Sequence, residues 1–310
     1  MNRSPFVSMI FFLSCIFVSL AWGHPGWGIV INSKGEIFFS DVNRNIIWRI
    51  DKTGTTTACV RGKHSHDLFI DRLDNLYGVH VEYDQPNDRW IYQRLTASPD
   101  GVVRVLKATE GTAYLTVHDD NGNEYLNASH AHKREARILK VTPAGDTVVV
   151  AGGVWGDRDG TGAAAQFRTF GPLVWGPDSA LYAGSGGMVR RVTLGGVVTT
   201  VIGKQHGFGD PDRPNASGIL GLCFDEKQNL FAASWEKNVV VKVSADGRVI
   251  SVLKSGPFWS PSGVFAFGND LYVLEHRNGI TIPLENAGFG GPRIRKISAD
   301  GKVTIVGTAP

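Results

Sequence analysis

The chain has 310 residues, of which 42% are hydrophobic, and a formal net charge of +3 at pH 7. Its 32 basic residues are scattered along the sequence, which gives no electrostatic footprint for nucleic-acid binding. The 38 glycines and 14 prolines concentrate in turns between short apolar segments. That distribution is typical of an all-β protein and excludes a disordered, low-complexity chain.

The first 23 residues predict a signal peptide. Arg3 supplies a positive charge, residues 6–20 form an apolar run, and Ala21-Trp22-Gly23 places small residues at the two positions that a signal peptidase reads. The apolar run is short for a membrane span, although an uncleaved anchor stays open as an alternative. We therefore expect a secreted or periplasmic protein whose single domain covers residues 24–310.

An internal repeat covers almost all of that domain. Strand-forming segments alternate with turns such as Asp120-Asn121-Gly122 and Ala245-Asp246-Gly247, in which glycine supplies the positive φ of a tight hairpin. The six copies start near Gly28, Asp67, Tyr114, Pro172, Gly221 and Gly263. Four antiparallel strands in each of six repeats predict one closed array, a six-bladed β-propeller.

Two cysteines follow the signal segment. Cys59 and Cys223 fall in predicted strands of the first and fifth repeats, which lie far apart around a ring. We therefore expect two free thiols rather than a disulfide, even in an exported protein.

The histidines fall unevenly on the repeat. In a propeller, the segment before each first strand and the loop after each second strand lie on one face, which we call the top face. Eight of the nine histidines lie in such connections, whereas His118 lies in a turn of the opposite face. Asp41, Glu82, Asp84 and Glu275 also follow second strands. The sequence therefore predicts a site rich in histidine and carboxylate on the top face.

Imidazoles from several blades can share one metal ion when their loops meet, although each histidine alone is equally consistent with a hydrogen-bonded structural role. The predicted metal ligands are His24, His66, His80, His130 and His276. Cleavage after Gly23 would also give His24 a free amine, which chelates copper together with its imidazole. We predict a divalent transition metal, with zinc preferred over copper and with calcium left open.

Three further residues are predicted to act in catalysis. Glu82 and Glu275 follow second strands, so either carboxylate is placed to move a proton on the top face. Tyr83 lies beside Glu82 in a lengthened loop, where its ring can stack on a sugar or another ring.

The chain resembles the NHL-repeat family of propellers, within the wider six-bladed group that includes gluconolactonase-like proteins. The resemblance rests on the recurring pattern G-[LIV]-x-[VIF]-D-x-x-x-N-L-[YF], which precedes a basic third strand and a D-G-x-V turn. It also rests on the segment DGTGAAAQF between Asp159 and Phe167. The match covers residues 24–310 and implies the fold more strongly than an activity.

The start of the second repeat is also similar to strand starts of peptidyl-amidoglycolate lyases, a zinc-dependent propeller family with comparable histidines on several blades. Only His66 matches that pattern here. The other repeats have Trp27, Ala113, Gly171, Leu220 and Ser262 at the corresponding position. The resemblance therefore does not extend to the amidating reaction.

Taken together, these features predict a monomer that carries out metal-dependent hydrolysis or elimination on a small molecule or carbohydrate. The alternative is a non-catalytic propeller whose top loops bind a peptide, a glycan or a protein partner. Neither nucleic-acid binding nor stable membrane insertion after signal cleavage is expected.

Overall fold

The structure is a computed structural model, and it describes residues 25–84, 86, 89–105, 117–130, 133–209, 218–277 and 291–310. Within these ranges the chain forms six small antiparallel sheets and two short 3₁₀ turns, at Gly162–Ala164 and Lys204–His206. None of the helical segments in these ranges is long and apolar enough to cross a membrane. The predicted signal peptide, residues 1–23, lies outside the described residues.

The first three sheets follow one another along the chain as blades 1 to 3. Blade 1 consists of β1 (Ile29–Ile31), β2 (Ile37–Asp41), β3 (Ile46–Ile50) and β4 (Thr56–Arg61). Blade 2 consists of β5 (Leu68–Ile70), β6 (Leu76–Asp84), β7 (Arg89–Ala97) and β8 (Val103–Val105). Blade 3 consists of β9 (Val117–His118), β10 (Glu124–His130), β11 (Glu135–Val141) and β12 (Thr147–Val154).

Blades 4 to 6 repeat this order. Blade 4 consists of β14 (Phe170–Trp175), β15 (Leu181–Ser185), β16 (Met188–Val192) and β17 (Val197–Ile202), and the short β13 (Gly160–Thr161) is added beside β17. Blade 5 consists of β18 (Ile219–Phe224), β19 (Leu230–Ser234), β20 (Val239–Val243) and β21 (Val249–Lys254). Blade 6 consists of β22 (Trp259–Phe267), β23 (Asp270–Arg277), β24 (Arg293–Ile297) and β25 (Val303–Thr308).

Each blade corresponds to one predicted repeat, so the six-bladed all-β fold is confirmed. The third predicted start, Tyr114, lies outside the described residues. Cys59 and Cys223 are both free, in agreement with the sequence.

The repeated aspartate of the sequence pattern caps the turn between the first and second strands. In blade 3, Asp119 Oδ1 accepts hydrogen bonds from the backbone N–H groups of Asn121 and Asn123, at 3.0 and 2.9 Å. The Asn123 side chain and the Tyr125 hydroxyl donate to the other carboxylate oxygen. These bonds, led by that of Asn123, hold the pKa of Asp119 below its usual value. The D-x-x-x-N spacing, which also occurs at Asp71 and Asp225, therefore records a turn on the face opposite the histidine-rich top face.

The ring closes between blade 6 and blade 1 by side-chain packing, because within the described ranges neither blade takes a strand from the other. Ile29, Phe39 and Trp48 of blade 1 share one buried cluster with Leu274 and Ile294 of blade 6. Burial of such apolar surface is the main favourable contribution to the seam.

Two close contacts define this seam near the propeller axis. Ser262 Oγ donates a hydrogen bond to the Gly26 carbonyl oxygen at 2.8 Å. A Cβ atom added to Gly263 would lie 2.2 Å from the Trp27 carbonyl oxygen, so only glycine allows the two backbones to approach this closely. The seam therefore holds Gly26 and Trp27 beside blade 6 at the top face.

A buried arginine attaches the segment between blades 3 and 4. Arg190 in β16 has no solvent exposure and forms a 2.6 Å ion pair with Asp159. Its guanidinium also donates to the carbonyl oxygens of Arg158 and Gln166, at 3.1 and 2.9 Å, and lies 5.3 Å from the centroid of the Phe167 ring. The segment that begins at Asp159-Gly160 therefore connects blades 3 and 4 through the buried contacts of Arg190, and we call these contacts the latch.

We expect Arg190→Met to lower the free energy of unfolding by about 3 kcal/mol, because two carbonyl groups and Asp159 lose their buried partner. Urea unfolding followed by tryptophan fluorescence measures the loss. Arg191→Met is the matched control, since Arg191 pairs with Asp178 at a partly exposed position and should cost less than about 1 kcal/mol. Equal losses in the two variants would contradict the latch.

Candidate active site

Three top-face histidines lie together at the start of blade 2. The His64 ring contacts the His66 and His80 rings edge-on, with centroids 5.3 and 4.8 Å apart. His64 and His66 belong to the connection from blade 1, and His80 belongs to β6. We call His64, His66 and His80 the histidine cluster. The cluster is local to one blade, because the short β5–β6 hairpin returns the chain to its starting face.

Hydrogen bonds orient two of these rings. His64 Nδ1 lies 2.5 Å from Asn45 Oδ1, so Nδ1 carries the proton and Nε2 is the acceptor nitrogen of that tautomer. His80 Nδ1 lies 3.3 Å from both the backbone nitrogen and the backbone oxygen of His64. Because this nitrogen faces a donor and an acceptor, His80 keeps a partner with or without a proton there. The cluster can therefore exchange a proton without losing these contacts.

The cluster is attached to blade 1 through Trp27. The Trp27 backbone N–H donates to the His66 carbonyl oxygen at 2.8 Å, and the two rings have centroids 5.4 Å apart. Ser65, between the two histidines, accepts a hydrogen bond from Val79 N at 2.7 Å and donates to the Asp67 carbonyl oxygen. Backbone contacts on both sides therefore fix the position of His66.

A cavity of about 420 Å³ lies between the first strands of the blades, along the propeller axis. Trp27 and Asp67 line its top-face end, because they precede β1 and β5, and Trp175 lines the opposite end. The remaining described lining is apolar apart from the Cys223 thiol. The histidine cluster therefore lies next to the mouth of an apolar cavity.

Asp67 is an unusual carboxylate within this apolar lining. Burial raises its pKa to about 6, although hydrogen bonds from the Leu68 backbone N–H and the Trp27 side chain act in the opposite direction. The Leu68 N–H bond to Oδ1 measures 2.9 Å. No basic side chain of the described residues contributes to this shift. Within the part of the chain that the structure describes, this partly buried carboxylate therefore has no charged partner.

His276 lies one residue before the end of β23, the second strand of blade 6, and is 6% exposed. Burial lowers the pKa of His276 to about 4, whereas the Asp41 carboxylate and a hydrogen bond with the Gly26 backbone act to raise this pKa. The imidazole is therefore neutral at pH 7. Its Nε2 has no hydrogen-bond partner among the described residues. His276 adjoins the Gly26–Trp27 segment, whose Trp27 contacts His66.

Glu275 precedes His276 but has a different environment. It is fully buried, and its carboxylate accepts hydrogen bonds from Arg293 Nε at 2.6 Å and from Ser255 Oγ at 2.5 Å. Arg295 lies 3.5 Å away. A carboxylate with these donors and no exposed surface is poorly placed to take a proton from a substrate. These contacts favour a structural role for Glu275 within blade 6, and its catalytic role stays a prediction.

The other predicted residues are placed only in part. His24 lies outside the described residues. Glu82 and Tyr83 in β6 and His130 in β10 have described backbones, but their side chains lie outside the description, so their roles stay predictions. His118 ends β9 on the opposite face, 3.4 Å from Glu124.

The donor geometry does not by itself fit the predicted metal site. Among the described residues, no group of three or more His, Cys, Asp or Glu side chains is placed to hold a metal ion. Within the cluster, His64 Nδ1 faces Asn45, and the rings meet edge-on. His66, His80 and His276 therefore do not form a three-ligand site without further donors.

Sequence reasoning did not identify Asp67 and Asn45 as site residues. Asp67 directly follows His66 and begins the second repeat, a position at the axis of any propeller. Asn45 lies in the turn between β2 and β3, and only the folded chain shows that this turn reaches His64.

Comparisons with known proteins identify the fold. No protein-family model and no curated protein matches the sequence. Regucalcin, a calcium-binding protein from Agrobacterium tumefaciens, has a TM-score of 0.55 and 12% identity, with 92% of each chain covered. A putative gluconolactonase has a TM-score of 0.51 and 15% identity, over 80% of this chain and 85% of that chain.

Virginiamycin B lyase from Staphylococcus aureus has a TM-score of 0.50 and 14% identity, over 91% of this chain and 83% of that chain. At these identities the similarity establishes the fold alone. The chain shares the six-bladed propeller of gluconolactonase-like and virginiamycin B lyase-like structures.

We expect Asp67→Asn to stabilise the protein at pH 7. The pKa of Asp67 is about 6 in the folded state against a reference value of 3.8, so ionisation is harder in the folded chain. The folded protein therefore loses stability as the pH rises from 3.8 to about 6. Asparagine keeps an acceptor for Leu68 N–H without the charge. Allowing for partial exposure, the free energy of unfolding should rise by about 1 kcal/mol at pH 7. Urea unfolding at pH 4 should show no such gain, and equal gains at both pH values would contradict the assignment.

His276 should act in the opposite direction. Its pKa is about 4 in the folded state against 6.5 as a reference, so the unfolded chain binds the proton first as the pH falls. Stability is therefore lost between pH 6.5 and pH 4. His276→Asn should reduce the difference in unfolding free energy between pH 7 and pH 4.5 by about 2 kcal/mol, measured by urea unfolding with a chelator present. His118→Asn, at an exposed position, should leave the native profile unchanged; a similar change there would refute the assignment.

Proposed function

We propose that the chain is an enzyme that hydrolyses or eliminates a bond in a small molecule, with the histidine cluster as its acid–base group. The observation that carries this proposal is the contact of three imidazoles beside the mouth of the axial cavity. A putative gluconolactonase and a virginiamycin B lyase among the solved structures with this fold support small-molecule chemistry.

Both reactions need a group that accepts a proton and a group that returns one. In hydrolysis the base takes a proton from the attacking water, and in elimination it takes a proton from a carbon next to the bond that breaks. His64 Nε2 is the acceptor nitrogen of the tautomer that Asn45 selects. His80 holds its contacts in either protonation state. We assign proton transfer to these two rings.

His66 is assigned to the substrate side of the cluster. Its ring contacts Trp27, which lines the cavity, and its carbonyl oxygen is fixed by the Trp27 N–H. A rigidly held imidazole at this point can orient a carbonyl or leaving oxygen toward His64. His276, neutral and close to Asp41, is a second candidate base from the adjoining blade.

The predicted metal and the roles of Glu82 and Tyr83 belong to the same proposal. Elemental analysis of the purified protein tests the metal. Stoichiometric zinc or copper that is lost in His66→Ala supports it, and metal-free protein with full activity removes it. The acid–base assignment does not depend on that outcome, because no step above passes through a metal ion.

We further propose that the protein is an exported, monomeric propeller of the NHL type. The charge and apolar pattern of residues 1–23 support export. The capped turns of the D-x-x-x-N-L-[YF] pattern at Asp71 and Asp225 support the NHL type. The mass of the mature N-terminal peptide tests cleavage after Gly23.

We expect the purified protein to accelerate either hydrolysis of sugar lactones or ring opening of a streptogramin B lactone. His64→Ala and His80→Ala should each lower kcat/KM about 10²- to 10⁴-fold, the usual contribution of a positioned acid–base group. His66→Ala should also lower kcat/KM, because the substrate loses the imidazole that orients it. Circular dichroism verifies that the variants fold.

His118→Ala is the matched control, because it removes an imidazole from the opposite face and should leave kcat/KM unchanged. Equal losses in His118→Ala and His66→Ala would refute the top-face site. If neither the sugar lactones nor the streptogramin B lactone reacts, the non-catalytic binding propeller becomes the better interpretation.

A further inference from the structure

We propose that the axial cavity binds a small apolar molecule that carries a positively charged amine, with Asp67 as its counter-ion and Trp27 as its aromatic contact. This inference goes beyond the proposed chemistry, because the cavity would select the same ligand in a propeller that only binds.

The apolar lining selects the body of the ligand. The first strands of the blades contribute Ile29, Leu68, Leu173, Leu222 and Val264 to the cavity wall. The volume of about 420 Å³ lies at the small end of the range for ligand pockets. A single ring with a short side chain fits this space, because the described side walls offer few hydrogen-bonding side chains.

The charge of the lining selects the polar group of the ligand. Asp67 is the only carboxylate among the described lining residues, which include no lysine, arginine or histidine. Its Oδ1 accepts one hydrogen bond from Leu68 N–H at 2.9 Å. A carboxylate in apolar surroundings is costly unless an opposite charge accompanies it. A bound ammonium group supplies that charge, whereas a bound carboxylate would add repulsion.

Trp27 strengthens the preference for a cation. It is 8% exposed and lines the same end of the cavity as Asp67. A cation next to an indole ring is attracted by the negative face of the ring, and the attraction grows when water is excluded. The ammonium group would therefore lie between Asp67 and Trp27, with the apolar body directed toward Trp175.

This position also places the ligand next to the chemistry proposed above. Trp27 contacts His66, so the atoms close to the amine would lie beside the histidine cluster. A neutral or anionic lactone would lack the ion pair with Asp67. The charge of the ligand is thus a property that binding measurements detect without any turnover.

Isothermal titration of the full chain at pH 7.5 tests the inference with three probes of similar size: 2-phenylethylamine, 2-phenylethanol and 3-phenylpropionate. We expect the amine to bind at least tenfold more tightly than the alcohol and the carboxylate to bind most weakly. In Asp67→Asn, the amine should lose at least tenfold in affinity while the alcohol keeps its Kd.

Two further variants make the test specific. Glu226→Gln removes one negative charge at an exposed turn and should leave all three Kd values unchanged. Trp27→Phe keeps an aromatic ring with a weaker attraction for cations, so it should weaken the amine more than the alcohol. Thermal unfolding confirms that each variant is folded.

Equal affinities for the amine and the alcohol would overturn the inference, as would an amine Kd unchanged in Asp67→Asn. Failure of all three probes to bind would overturn it as well. None of these outcomes would decide the acid–base proposal, which is measured by turnover of lactones in the His64 and His80 variants.

Discussion

The candidate site depends on the way the ring closes between blades 6 and 1. Closure relies on a shared apolar cluster and on the approach of Gly263 to the Trp27 carbonyl, without an exchanged strand in the described ranges. The same Gly26–Trp27 segment adjoins His276 and contacts His66. Loosening of the seam would therefore disturb the site.

The fold was readable from the sequence because its stabilising contacts are local. Asp119 accepts hydrogen bonds from residues only two to six positions away, and this set of contacts recurs in other blades.

The site could be predicted from the sequence only in part. His64 and His66 are close in sequence, and His80 joins them through one short hairpin. Arg293 lies opposite Glu275 in the β23–β24 register but 18 positions later in the sequence, so the sequence did not show this ion pair.

Glu275, which is fully buried, and Asp67, which is partly buried, show why environment, rather than residue type, decides the role of an acid. Glu275 has two arginines and a serine as partners, so its charge is satisfied within blade 6. Asp67 has a backbone N–H and an indole, with no described basic side chain as an ion-pair partner. The charge of Glu275 is compensated within the fold, whereas the charge of Asp67 is not. Asp67 is therefore the carboxylate that can gain from an ion pair with a ligand.

The two perturbed groups at the top face act on stability in opposite directions over overlapping pH ranges. As the pH falls from about 6 to 4, protonation of Asp67 stabilises the folded chain, whereas the resistance of His276 to protonation destabilises it. In a plot of the free energy of unfolding against pH, the two contributions therefore have opposite slopes and partly cancel. A flat plot would not mean that the site lacks perturbed charges. A bound cation would favour the ionised form of Asp67 and lower its pKa, because it stabilises the charged carboxylate. Ligand binding would then remove one of the two slopes and expose the other, so the stability of the complex would fall more steeply with acid than that of the free protein.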